Sequence, residues 1–170
     1  MSLSAALLPE FDQEVSSLRK CLERLPEGKL NWKPHAKSMS LGALATHLAN
    51  LLTWVNRTLE VSEFDLAPDG EPMKAVELHT RAELLAALDA NAAKARKALA
   101  GASDECLNGP WTLMAAGKKF FTLPRTTCLR SFVLSHLVHH RGQLSVYLRM
   151  LDVPLLAIYG PSADDAGMLG

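Results

Sequence analysis

Residues 135–150 read SHLVHHRGQLSVYLRM and hold three of the chain's six histidines within five positions. Steps of three and four residues through this region give Leu129, Val133, His136, His140, Leu144, Tyr147 and Leu151, the periodicity of one helix face. Two imidazoles therefore stand in an otherwise apolar stripe. Residues four apart share a face with Cβ atoms roughly 5–6 Å apart, so His136 and His140 can chelate one ion. The competing reading is a set of histidines hydrogen-bonded to the backbone or to each other, and the HxxxH spacing alone leaves both open. His139, flanked by Ser135, Gly142 and Gln143, is expected to face outward or sideways.

Working outward, a second helix repeats the pattern. Leu44, His47, Leu51 and Trp54 form an apolar stripe with one histidine inside it. Three histidines on two core-facing stripes would make a His₃ site. Neutral imidazole ligates Zn²⁺, Ni²⁺, Cu²⁺ and Fe²⁺, and three protein ligands leave a coordination position open, as in catalytic zinc sites. No glutamate follows the first histidine, so the HExxH protease pattern is absent. The nearest acidic residues in sequence are Glu60 and Asp152. A separate general base is thus not evident, and a bound metal would itself activate the nucleophile.

The rest of the chain reads as helix with little strand. Helices are expected over residues 4–25, 41–59 with Ser40 as N-cap, from the Thr80–Glu83 capping box to about residue 100, and 125–151 behind Pro124. Residues 60–77 read as a long connection and 157–170 as an irregular tail. Within 108–124, a short β-hairpin is expected around AAGK, between WTLM and FFT. Four long helices with a long middle crossover predict a four-helix bundle in one domain spanning 1–170. The composition, 48% hydrophobic and 21% charged over 170 residues, suits a globular protein. Equal numbers of acidic and basic residues, 18 each, give no electrostatic pull toward nucleic acid. Three scattered cysteines, Cys21, Cys106 and Cys128, form no disulfide or zinc-knuckle pattern and suit a cytoplasmic protein. Neither a signal peptide nor a membrane span is expected, because the most apolar run is interrupted by His47 and Asn50.

Three stretches together resemble the DinB/YfiT-like superfamily of metal-dependent enzymes: the HxxxHRGQ pattern at 136–143, NWKPHAKSMSLGALATHLANLLTW at 31–54, and the tail VPLLAIYGPSADD at 153–165. The resemblance covers nearly the whole chain. It implies an antiparallel four-helix bundle, a divalent metal, zinc or nickel, on His47, His136 and His140, and a homodimer. It also implies enzymes that use low-molecular-weight thiols, S-transferases and isomerases among them. A metal-dependent thiol transferase acting on a small-molecule substrate is the leading expectation. A hydrolase using metal-bound water and a non-catalytic metal-binding bundle are the alternatives.

Other residues carry weaker expectations. Arg141 could bind an anionic group, but a solvated or interhelical salt bridge is favoured for it. Gly142, in mid-helix, points to close helix packing or a residue crossing above it. Gln143 could orient a ligand or cap the backbone. Trp54 and Tyr147 are expected in the core, with a pocket mouth as the alternative. His35 is expected to make a structural loop hydrogen bond, His79 to be exposed, and Cys128 to stay out of the site.

Overall fold

In the computed structural model, which describes residues 2–71 and 76–165, the chain is mostly helical with a small three-stranded sheet. Ser2 accepts a hydrogen bond from Ala5 N and opens α1, Leu3–Leu22. Ser40 does the same with Ala43 N and opens α2, Leu41–Leu51. The helix expected over 41–59 is interrupted at Leu52, and α3 runs Thr53–Glu60. The Thr53 hydroxyl donates to Asn50 O at 2.8 Å and so competes for a carbonyl of the helical ladder. Such back-bonding bends helices.

The connection expected over 60–77 contains a short strand, β1, Glu63–Asp65. Part of it, 72–75, lies outside the described residues, as do 166–170 of the expected tail. After it comes α4, Arg81–Gly101, whose capping box is present on both sides: Thr80 accepts from Glu83 N and Glu83 accepts from Thr80 N. A short α5, Asp104–Asn108, leads into β2, Pro110–Ala115, and β3, Lys118–Pro124. These pair antiparallel as the expected hairpin, turning at Ala116 (φ 50°) and Gly117 (φ 73°), the left-handed pair that tight hairpins require. β1 adds in parallel to β2. The Asp65 carboxylate holds that strand to the turn by accepting from Ala116 N (2.9 Å) and Gly117 N (2.8 Å). A three-residue strand is too short to show an alternation, which is why the sequence reads as loop there.

The last helical course begins with α6, Arg125–Cys128, passes through a π-helical stretch, Leu129–Leu134, and continues as α7, Ser135–Met150. Arg125 turns back to donate to Thr58 O and Pro110 O, both at 2.9 Å, tying the sheet to the end of α3. Gly109 leaves room for it: a Cβ there would stand 2.9 Å from the guanidinium.

Helix α1 packs on α4 and α7, and α2 packs on the same two helices. Their shared core includes Leu18, Leu22, Leu44, Leu48, Leu88 and Leu144, each at most 1% exposed. Burying such a side chain stabilises by roughly 1.5–3 kcal/mol. Among the described residues no helix is long and apolar enough to cross a membrane.

Candidate metal centre

Both halves of the site rest on helices pinned to the core. On α7 the fully buried line is Leu137, Arg141, Leu144 and Leu148. His136 and His140 lie one position off that line and are half-buried, at the margin of the core rather than facing into it. His47 on α2 is also half-buried, between buried Thr46 and Leu48. The α2–α7 packing turns these margins toward each other.

The structure brings His47, His136 and His140 together. His140 Nε2 lies 2.8 Å from His136 Nε2, and His47 Nε2 lies 3.3 Å from His136 Nε2. One ring nitrogen from each of the three falls within 4.8 Å of the others. Among the described residues no carboxylate or thiol joins that cluster.

The far sides of two rings determine their tautomers. His136 Nδ1 faces Phe132 O at 3.3 Å, and a carbonyl only accepts, so Nδ1 carries the proton. His140 Nδ1 faces Gln143 Oε1 at 2.7 Å, while Gln143 Nε2 donates to His139 Nε2 at 3.1 Å. His140 Nδ1 is therefore the donor as well. Both Nε2 atoms are left as bare lone pairs, pointed at each other across 2.8 Å. Without a cation or an added proton between them, that approach is repulsive. Burial first, and then the neighbouring imidazoles, push His47 down to about 4 and His136 below the usual histidine value. Added protons are thus disfavoured at His47 and His136, and a cation placed among the three Nε2 atoms would satisfy all of them together. A ligating histidine whose other nitrogen is held by a carbonyl is the usual outer support of a metal site.

Other sequence expectations resolve individually. Gln143 orients His140, a role the sequence left undecided. His139 is exposed, as expected, and borders the site through Gln143 and through its ring, edge-on to His140 at 4.9 Å. His35 Nδ1 accepts from Lys37 N in its loop, and His79 is exposed before α4. Cys128 is buried away from the cluster. Tyr147 stands half-buried with its ring edge-on to Trp32 and its hydroxyl donating to Met39 O. Trp54 packs with Phe64 and Trp111. Among the described residues nothing lies within 4 Å of a Cβ placed on Gly142, so neither close packing nor a crossing residue among them explains it.

Arg141 is the favoured interhelical salt bridge, but it is not solvated. It is 1% exposed and pairs with Glu14 of α1, itself 5% exposed. Tyr159 completes the cluster, accepting from Arg141 and donating to Glu14 Oε1 at 2.7 Å. Sequence reasoning missed Glu14, although the signal was present. Glu14 interrupts the spacing Phe11, Leu18, Cys21 on α1 just as the histidines interrupt theirs.

A family model described as the DinB family matches residues 1–167. No curated protein matches the chain. Two solved structures share its fold. One is a DinB-like protein from Bacillus cereus, 19% identical, covering 89% of this chain and 95% of its own, with a TM-score of 0.69. The other is a DinB-like protein from Bacillus subtilis, 18% identical, covering 92% of this chain and 99% of its own, also at 0.69.

Proposed function

The chain belongs to the DinB family, and we propose that it is a metal-dependent enzyme that transfers a small thiol to an electrophile. In this reading the helices form an antiparallel four-helix bundle in a single domain, and His47, His136 and His140 hold one divalent ion, zinc or nickel. The observation that carries it is the pair of Nε2 lone pairs held 2.8 Å apart by Phe132 O and Gln143, with His47 Nε2 at 3.3 Å. An arrangement that opposes the His136 and His140 lone pairs and disfavours protonation of His47 and His136 fits a cation better than it fits a structural histidine cluster. A divalent ion on three neutral imidazoles keeps its full charge and lowers the pKa of a thiol placed beside it.

The protein's own part is to hold that geometry. Phe132 O and Gln143 Oε1 fix the tautomers and ring planes of His136 and His140. Among the described residues no carboxylate stands in the cluster to act as base, which favours a substrate that ionises at the site itself, as a thiol does. A cytoplasmic homodimer belongs to the same proposal.

The test is elemental analysis of tag-free protein beside the His136→Ala/His140→Ala variant, followed by assay of a thiol with the electrophile 1-chloro-2,4-dinitrobenzene. Near one metal per chain, lost in the variant, with thiol-dependent turnover, is the expected result. Absence of metal after reloading would end the reading. Metal with thiol-independent hydrolysis of an ester would transfer it to the hydrolase class.

A further inference from the structure

A cleft of ≈ 690 Å³ runs beside α2, and the triad does not account for it. Its floor is α2 itself at Ala43, Thr46, His47 and Asn50. One rim is the loop around Leu30 and the other is the segment from Val76 to His79. Both rims are tied to the floor. Gly42 N donates to Leu30 O at 2.8 Å, and the Thr46 hydroxyl reaches Leu78 O at 3.4 Å. The volume is in the range of pockets that hold small molecules. His47 belongs to both cleft and triad, so a ligand lying here has one end beside the candidate metal centre.

The lining is selective. Leu30, Met39 and Leu78 offer apolar surface, and Glu27 and Glu77 offer carboxylates, while among the described residues no lysine or arginine lines the cleft. Glu27 already accepts from Arg81 N at 3.2 Å. Glu77 is exposed and enters none of the ion pairs among the described residues. An anionic ligand would meet the like charges of Glu27 and Glu77. A protonated amine would meet complementary charge.

We propose that this cleft binds the non-reacting part of the substrate and selects a small amphiphile carrying a protonated amine. Resting on the thiol-transfer reading above, the substrate class is an aminothiol, its sulfur toward the triad and its ammonium against Glu77.

The experiment is calorimetric titration of the zinc-loaded full chain with three six-carbon thiols ending in ammonium, hydroxyl or sulfonate. Sulfonate is chosen because it is a poor metal ligand. Affinity is expected to fall in that order, by about tenfold across the series, the size of attraction to exposed carboxylates exchanged for repulsion. Glu77→Gln is expected to narrow the spread to about threefold. Ala43→Trp, which fills the floor from an exposed position, is expected to abolish binding of all three with zinc per chain unchanged. Should Ala43→Trp not fold, Glu77→Gln decides alone. Equal affinity for the three termini, or a spread unaltered by Glu77→Gln, overturns the proposal while zinc content leaves the triad reading standing. The converse is separable through hexylamine and hexanesulfonate on metal-free protein. A Glu77-dependent preference for the amine there supports the cleft even where the chain takes up no metal.

Discussion

Two polar clusters hang from neighbouring residues of α7, and they are satisfied in opposite ways. Arg141 is 1% exposed, and its charge is met inside the protein by Glu14, with Tyr159 bonded to both and the guanidinium lying over the Tyr159 ring at 5.0 Å. His136 and His140 are half-buried, and beyond the three histidines themselves the described residues supply partners for their Nδ1 atoms. The Nε2 atoms are aimed at each other and at His47. Buried polarity that closes on itself fixes helix register between α1 and α7. Polarity that is held open, by contrast, calls for a partner from outside. The difference separates a structural device from a candidate metal site one residue away.

The largest effect should come from breaking the closed cluster. Arg141→Met leaves the Glu14 carboxylate buried without its cation and should cost about 3–5 kcal/mol in urea unfolding of the metal-free protein. Glu14→Leu together with Arg141→Met should recover most of that loss, because replacing a buried pair by apolar groups is often neutral. A single-variant loss below about 1 kcal/mol would mean the charge is not committed there.

The open cluster should behave conversely. Zinc at a thousandfold over its dissociation constant should stabilise the wild type by about 4 kcal/mol. Chelator should remove that gain, and His136→Ala/His140→Ala should never show it. The same variant should change metal-free stability by less than about 1 kcal/mol, since no bond that closes the fold is lost. Thermal melts with and without chelator separate these outcomes.

Gln143→Leu sharpens the contrast at one contact. It frees His140 Nδ1 and should weaken metal binding about 10- to 100-fold, read by competition with a chromogenic chelator. An unchanged affinity would reduce Gln143 to a surface residue.

Acid should distinguish the clusters more gently. His47 is pushed to about 4 from an ordinary 6.5, mainly by burial and then by His140 and His136. Between those values the unfolded chain binds a proton that the folded chain refuses. The His47 contribution to metal-free stability should therefore fall as pH drops from about 6.5 toward 4 and level off below, where the depressed carboxylates of Asp65, Glu83 and Asp164 take over the loss. The loss is modest because the ring is half-exposed, and His47→Asn should flatten part of it in urea midpoints taken at pH 7.5 and 4.5. Smallest is Thr80→Ala, which removes a cap remote from both clusters. It should cost about 1 kcal/mol and leave metal affinity unchanged.

Much of this was legible in order along the chain. The caps at Ser40 and Thr80 act through bonds to residues three positions away, while Pro124 at the entrance of the last helical course and the AAGK turn act through local backbone dihedrals. Their outcome is local and matches what the sequence predicts. The break at Leu52 was harder to see, because the Thr53 hydroxyl can bond a carbonyl in or out of a straight helix. The π-helical stretch at Leu129–Leu134 and the parallel pairing of β1 leave no periodic trace at all.

The sequence by itself determined which side chains are the candidates for the chemistry. His47, His136 and His140 stand out because each interrupts an apolar period, and the helix pitch alone puts His136 and His140 on one face. Only the tertiary structure decided what those interruptions mean. Glu14 and the histidines give the same signal in the sequence. Whether such a residue meets its partner inside the protein or must wait for one depends on which helix lies opposite and how deeply the two are packed. That is set by contacts between residues some 90 to 130 positions apart, for which no local pattern carries information.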